Sequence, residues 1–207
     1  MAYIGAGVSR FTTADGLTVS GNATVSGTVD VDGATTTDGI TNAGNFSTDG
    51  GAIKLDGNYP TGTGNVALGD TALDDGSLSG NYNVAIGSEA LSANTSGGGN
   101  TALGRATLKA NTTADANTAV GYTALLVNTT GTQNTAVGAY SLDANTTASY
   151  NTGMGYGTLS ANTTGSFNVA VGTDALIANT TGENNIAVGR GLYTNRSGSN
   201  NTAVGRS

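Results

Sequence analysis

The amino-acid sequence predicts an all-β protein that folds as a parallel β-solenoid, and three observations lead to this prediction. A five-residue motif recurs at a nearly constant spacing from Asn65 to the end of the chain. Glycine supplies 34 of the 207 residues, roughly twice its usual share. Large side chains are scarce, since the chain contains three Phe and no Trp, so any core must be narrow.

The recurring motif is Asn-x-Ala-aliphatic-Gly, in which all copies keep Asn first and Gly fifth, and Gly153 replaces Ala once. The spacings are 18 residues, then six of 17, then 16. Such a period is typical of solenoids, in which each repeat forms one coil and stacks on the next. Coil positions are numbered here from the Asn, as position 1, to position 17. The nine copies begin at Asn65, Asn83, Asn100, Asn117, Asn134, Asn151, Asn168, Asn185 and Asn201.

Each coil is predicted to contain two short strands separated by turns. Positions 2 to 4 alternate in character, which predicts a strand with positions 2 and 4 on one face and Ala on the other. We assign positions 2 and 4 to the inner column. Gly at position 5 suits a turn with positive φ or close backbone approach, and Asn-Thr-Thr-Gly suits a second turn. Stacked Asn side chains are expected to form ladders at the corners. The second strand is predicted around the Leu at position 9, namely Leu73, Leu91, Leu108, Leu125, Leu142, Leu159 and Leu176.

The Ala at position 3 is accordingly expected on the outer face of the strand. Small side chains there would let another surface approach closely, and a narrow core is thin for a lone chain. We therefore interpret the Ala face as the surface through which copies of the chain associate, the alternative being an ordinary monomer surface. The predicted contact residues are Ala85, Ala102, Ala119, Ala136, Ala170 and Ala187.

A different period precedes the coils. Residues 17–58 divide into seven hexads, six of which have Gly in fifth place, and this pattern predicts a β-helix shaft. The weak apolar content of the middle hexads favours a shaft wound from three chains over one wound within a single chain. Residues 59–64, which include Pro60, are predicted to link the shaft to a solenoid spanning residues 65–207. Residues 1–16 form a separate N-terminal segment.

The missing residue types limit the chemistry that the chain can support. The chain has no His and no Cys, which removes His-based triads, thiol nucleophiles and Cys-based zinc sites. Asp74-Asp75 is interpreted as a polar turn rather than as the carboxylate pair of a glycosidase. We expect no enzyme activity, metal or cofactor. The net charge of −7 without a basic patch argues against nucleic acid, and no apolar run approaches the ~20 residues of a membrane helix.

Two polar repeats have competing interpretations. Sequons at position 12 could accept glycans, but they follow the coil period, so we favour a structural corner. Paired Thr residues such as Thr112-Thr113 could form an ice-binding array, which we disfavour because adjacent strand residues face opposite ways. The sequons begin at Asn94, Asn111, Asn128, Asn145, Asn162 and Asn179.

Aromatic residues cluster in the middle coils, next to the predicted turns. Exposed aromatic rings can stack on sugars, so these residues form a candidate receptor patch. Ordinary packing between coils or chains is the alternative, and we favour it. The candidate patch consists of Tyr122, Tyr140, Tyr150, Tyr156 and Phe167.

The Asn-x-Ala-Val-Gly, Ala-Leu and Asn-Thr-Thr-Gly elements of residues 65–205 resemble the β-roll heads of trimeric autotransporter adhesins. They are at least as similar to repeats of bacteriophage tail fibres. The segment Met-Ala-Tyr-Ile-Gly, followed by Leu-Thr-Val-Ser-Gly-Asn-Ala-Thr-Val, resembles the start of phage tail fibres.

This resemblance implies a homotrimeric structural and adhesive fibre in the tail of a virion, acting outside cells. It implies that the N-terminus, with Ala2, Tyr3, Ile4 and Gly5, docks to other virion tail proteins. It also implies that the rest projects towards a glycan or protein of the host cell surface. The alternatives are the head of a bacterial trimeric surface adhesin and a fibre that decorates the capsid.

Overall fold

The fold is taken from a computed structural model, which describes residues 63–75 and 77–206. The predicted N-terminal segment, the hexad shaft and residues 59–62 of the linker lie outside the described residues. Short strands recur once per coil in the described part. They are β1 (Val66–Leu68), β2 (Val84–Ile86), β3 (Thr101–Leu103), β4 (Thr118–Val120), β5 (Thr135–Val137), β6 (Thr152–Met154), β7 (Val169–Val171), β8 (Ile186–Arg190) and β9 (Thr202–Arg206).

The strands form a single parallel sheet in which each strand pairs with the next one along the chain, from β1 to β9. Equivalent coil positions are in register, so that Ala85 pairs with Ala102 and Ala102 pairs with Ala119. Parallel pairing of consecutive strands requires the chain to travel once around a coil between them. The predicted parallel solenoid with coils of about 17 residues is therefore confirmed.

The second strand predicted in each coil is wrong for the described residues, where the segment around position 9 forms turns. Leu108 and Leu125 have φ angles of 49° and 52°, in the left-handed region rather than the extended one. The backbone still bonds to the next coil, because the Leu108 N–H donates to the Ala124 carbonyl at 3.1 Å. Coil-to-coil hydrogen bonding thus continues without a strand.

The predicted inner column is also wrong, because the faces of the strand are reversed. The position-3 residue is fully buried in β2 to β8, whereas positions 2 and 4 are half-buried or exposed. The core consists of these Ala side chains, the Leu at position 9, which is also fully buried from Leu91 to Leu176, and buried small residues at position 8 such as Ala90 and Ala124. The position-3 site faces the position-8 side chains closely, since a Cβ placed on Gly153 would lie 2.5 Å from Ser141 Oγ, so only a small side chain fits there.

Two ladders of buried Asn complete the interior, and they confirm the predicted stacking at the corners. In the first ladder, at position 1, the Asn134 N–H donates to the Asn117 Oδ1 at 2.9 Å, and Asn134 Nδ2 donates to the Ala148 carbonyl at 2.9 Å. In the second ladder, at position 12, Asn145 Nδ2 donates to Asn128 Oδ1 at 2.9 Å. These bonds satisfy amide groups that would otherwise be costly to bury.

The Gly at position 5 has both a positive φ angle and a close approach to neighbouring backbone, the two reasons for which the sequence predicts Gly there. Gly87 has a φ of 126°, and a Cβ placed there would lie 2.6 Å from the carbonyl oxygen of Gly104 in the next coil. Side chains are therefore excluded by the backbone angle and by the stacking of the coils. The turn that follows each strand depends on this residue.

Candidate functional site: the strand face and its two corners

The outer face of the sheet is an uncharged surface that runs the length of the described solenoid. We call the position-2 and position-4 side chains of β1 to β9 the strand face. Every one of them is Val, Ile, Leu, Met or Thr. Leu68, Leu103 and Met154 are 56%, 44% and 46% exposed. Aliphatic side chains on a regular, uncharged face are typical of a surface that another molecule covers.

The predicted association face needs correction for this reason. Ala85, Ala102, Ala119, Ala136, Ala170 and Ala187 are completely inaccessible within one chain. A second copy of the chain has no access to them while the coil is folded. The side chains on the opposite side of the same strands are the accessible ones.

Three of the five aromatic residues in the candidate receptor patch form a continuous row at the corner after the strand. The ring centroids of Tyr122 and Tyr140 are 5.5 Å apart, and those of Tyr140 and Tyr156 are 5.6 Å apart, both pairs meeting edge to face. We call these three residues the tyrosine row. Their rings come from three successive coils and all are exposed, so the row runs parallel to the stack of coils.

The other two aromatic residues lie at the corner before the strand. Tyr150 precedes β6 and Phe167 precedes β7, and their rings stack face to face with centroids 4.9 Å apart and an interplanar angle of 3°. Tyr150 and Tyr156 therefore lie beyond opposite ends of the same strand. The structure divides the predicted patch into two clusters, one at each corner.

Ion pairs lie at both ends of the tyrosine row, and the sequence analysis did not identify them. Glu89 accepts a hydrogen bond from Lys109 at 2.9 Å and lies 3.5 Å from Arg105. The bond from the Lys109 ammonium lowers the pKa of Glu89 below its usual value. Arg105 Nη1 in turn donates to the Tyr122 hydroxyl at 3.2 Å. Beyond Tyr156, Arg190 lies 3.8 Å from Asp174.

The exposed large apolar side chains of the described coils lie in one part of the coil. Within residues 63–75 and 77–206, all such side chains belong to the strand face or to one of its two corners. The remaining turns of the coil, which carry the Asn-Thr-Thr-Gly segments, contribute none. One side of the solenoid is thus apolar and the opposite side is polar.

The sequons and the Thr pairs have structural roles in the described coils. Asn111 and Asn128, like the other position-12 residues up to Asn179, are fully buried in the second ladder, so a folded coil offers no side chain for glycosylation. The Thr129 hydroxyl donates to the Thr146 carbonyl at 3.1 Å, while Thr130 is exposed. The two residues of each pair therefore face different ways.

The acidic pair lies in a turn of the first coil. Asp74 is exposed, and Asp75 accepts a hydrogen bond from the Ser77 N–H at 2.8 Å and a second from the Ser77 hydroxyl. The hydroxyl bond is the main cause of a lowered pKa at Asp75, with the backbone bond adding to it. These contacts match a polar turn.

The described coils contain no group of three or more acidic residues arranged to hold a metal ion. No helix among the described residues is long and apolar enough to cross a membrane. The chain matches no protein-family model, no curated protein and no solved structure. The predicted attachment residues Ala2, Tyr3, Ile4 and Gly5 lie outside the described residues.

Proposed function

We propose that the chain is a structural and adhesive fibre subunit that associates with copies of itself, as a homotrimer, through the strand face. The observation that carries this proposal is the continuous uncharged strand face of β1 to β9. Nine strands at ~4.8 Å spacing extend for about 40 Å, and each three-residue strand spans about 10 Å at ~3.3 Å per residue. The flat strip is therefore about 400 Å², and the side chains that project from it enlarge the accessible surface towards the ~800 Å² that one partner contributes to a standard protein interface.

Copies of this chain are the partner that suits such a face best. The face carries no charge that a partner must neutralise, and its columns repeat at the spacing of the strands. A second solenoid with the same repeat presents side chains at the same intervals, so the two faces can interdigitate over their whole length. Burying the face would also remove exposed apolar side chains such as Leu68, Leu103 and Met154 from water.

The proposed setting is the tail of a phage virion, where the fibre contributes reach and multivalent contact with a host surface. Several identical weak sites on one assembly bind much more tightly than one site alone. The resemblance of residues 65–205 to tail-fibre repeats supports this setting. The bacterial adhesin head and the capsid decoration fibre share the same assembly and differ only in where the fibre is mounted.

The self-association proposal is tested by the mass of the purified chain from light scattering. We expect three times the monomer mass of 20.1 kDa. The double variant V137E/V171E places charges within the strand face and should lower the mass to that of the monomer. The matched control T130E/T164E adds the same charges to exposed Thr residues on the opposite turn and should leave the trimer intact.

If the wild-type chain has the mass of a monomer, the proposed homotrimer is wrong. If the V137E/V171E variant keeps the mass of a trimer, the strand face is not the interface. The setting is tested separately by immunogold electron microscopy of the source particles or cells. Label at the tail supports the tail fibre, whereas label on the capsid or on the bacterial surface supports one of the two alternatives.

A further inference from the structure

Comparison of the coils with one another shows where the solenoid varies. Asn at position 1 and Gly at position 5 occur in every coil, and Leu at position 9 recurs from Leu73 to Leu176. The two residues after the Gly differ from coil to coil, as in Arg105-Ala106 and Tyr122-Thr123, and so do the two residues before the next Asn, as in Asp115-Ala116 and Thr132-Gln133. Repeat proteins place variable residues on one side of a constant frame when that side binds a ligand.

We propose that the tyrosine row and the ion pairs at its ends form a binding track for a linear, uncharged glycan lying along the stack of coils. This inference rests on the proposed attachment function and names its ligand class. It assigns the binding to the corner after the strand, and it excludes Tyr150 and Phe167 at the other corner.

The tyrosine row supplies the stacking surface of the track. Its three rings are 39% to 55% exposed and follow one another at 5.5 and 5.6 Å. The negative face of an aromatic ring attracts the positively polarised C–H groups on the apolar face of a pyranose. Adjacent rings are turned by 69° and 74° relative to each other, so each sugar would stack on a single exposed ring face, with one Tyr per coil available along an extended glycan.

The ion pairs supply hydrogen-bonding groups for sugar hydroxyls at the two ends of the row. Arg105 is held between Glu89 and the Tyr122 hydroxyl, with its guanidinium 5.7 Å from the centre of the Tyr122 ring. At the other end, Asp174 and Arg190 are 3.8 Å apart. Paired donors and acceptors at fixed spacing suit the neighbouring hydroxyls of a sugar.

The charges favour an uncharged glycan over a polyanion. Arg105, Lys109 and Arg190 each lie against a carboxylate, so their charge is already balanced. The chain as a whole carries a net charge of −7, which repels anionic polymers. Stacking and neutral hydrogen bonds are the interactions that remain.

Tyr150 and Phe167 provide an internal control for this assignment. Their rings cover one another in a parallel stack across only two coils. Replacing them removes as many aromatic rings as replacing Tyr122 and Tyr156, while the proposed track remains complete.

The test measures binding of three uncharged hexasaccharides, cellohexaose, chitohexaose and maltohexaose, to the full chain by isothermal titration calorimetry. We expect at least one to bind the wild type, the variant Y122A/Y156A to weaken that binding at least tenfold, and R105A to weaken it several-fold. The control Y150A/F167A should stay within twofold. Light scattering of every variant reports whether the assembly is preserved.

Each outcome decides the proposal. If no hexasaccharide binds the wild type, or if Y122A/Y156A binds as well as the wild type does, the track is wrong. If Y122A/Y156A lowers the mass, the row belongs to the contact between copies instead. If the chain is a trimer but binds none of the sugars, the fibre proposal stands and the binding track is wrong. If the chain is a monomer that binds a sugar through the tyrosine row, the binding track stands and the homotrimer is wrong.

Discussion

The interior of the coil and the outer face of its strand are built from opposite kinds of side chain. The interior behind β4 holds Ala119 next to Asn117 and Asn128, which are buried amides joined to neighbouring coils by hydrogen bonds. The outer face of the same strand holds Thr118 and Val120, both partly exposed. Polar groups are thus buried while aliphatic groups face outward.

This contrast shows that the width of the coil decides which side chains are inside. Two Asn ladders, one Leu column and the small residues at position 8 occupy the interior, and the strand can add only a methyl group. Larger aliphatic side chains must then lie outside, where each one left in water forgoes ~25 cal/mol per Å² of apolar surface. The two regions therefore depend on different interactions: the interior on hydrogen bonds between coils, and the strand face on contact with another copy.

The largest expected effect comes from a substitution in the buried interior, at the first Asn ladder. In N134D the side chain loses the amide that donates to Asn117 Oδ1 and to the Ala148 carbonyl. A carboxylate of the same shape would face two acceptor oxygens at a fully buried position. We expect a loss of about 3 kcal/mol in the free energy of unfolding. Urea unfolding followed by circular dichroism, at one fixed protein concentration, measures this loss.

N184D is the matched control for this prediction. Asn184 is exposed and has a φ of 55°, a backbone angle that Asp also tolerates. The same chemical change there should alter stability by less than 0.5 kcal/mol, as is usual for surface substitutions. Equal losses in the two variants would show that the loss comes from the added negative charge and not from the broken ladder, contrary to the proposed role of the interior.

A second, smaller effect concerns the one coil in which the position-3 Ala is missing. A Cβ placed on Gly153 would lie 2.5 Å from Ser141 Oγ and 2.8 Å from Thr158 Oγ1. These two hydroxyls bond to each other at 2.7 Å, and Ser141 also donates to the Gly153 carbonyl at 3.2 Å. G153A should therefore destabilise the coil by about 1–3 kcal/mol through overpacking.

The double variant S141A/G153A should recover most of the stability lost in G153A. It restores Ala at position 3 and removes the hydroxyl that occupies its space. A thermodynamic cycle with S141A and G153A alone measures the coupling, which we expect to exceed 1 kcal/mol. Additive losses would mean that Gly153 and Ser141 do not share one space in the core.

The period of the solenoid could be predicted from the sequence because it depends on residues that almost nothing else can replace. Gly at position 5 and Asn at position 1 recur because the backbone angle and the stacking of successive coils require them in every repeat. The strand alternation was also evident, so the separation of Ala119 from Thr118 and Val120 was correct. The prediction of which face of the strand points into the core was wrong.

That decision could not be made from alternation alone, because a three-residue strand has one Ala on one face and two aliphatic residues on the other. The usual preference for large aliphatic residues in the core favoured the wrong face. The width of the coil was the missing information, and it arises from the opposite turn. The close approach of Gly153 to Ser141 and the ion pair of Glu89 with Arg105 likewise join residues from neighbouring coils.

The smallest expected effect concerns a carboxylate at the boundary between the interior and the surface. Asp143 is half-buried, and its Oδ1 lies away from water without a hydrogen-bond partner. Burial raises the pKa of Asp143 above its usual value, and the nearby backbone N–H groups of Asp143 and Ala144 only partly oppose this effect. D143N removes the charge and keeps the shape, so it should stabilise the protein at pH 7 by up to about 1 kcal/mol.

The stability gained in D143N should depend on pH in a defined direction. Because the folded protein holds the Asp143 proton more tightly than the unfolded chain does, stability should fall as the pH rises from the unfolded pKa of about 3.9 through the raised folded pKa. The advantage of D143N over the wild type should therefore grow across that window and remain constant above it. D74N, at an exposed carboxylate, is the control and should change the free energy of unfolding at pH 7 by less than about 0.5 kcal/mol. An advantage for D143N that is equally large at pH 3 and pH 7 would show that the effect arises from packing and not from the buried charge.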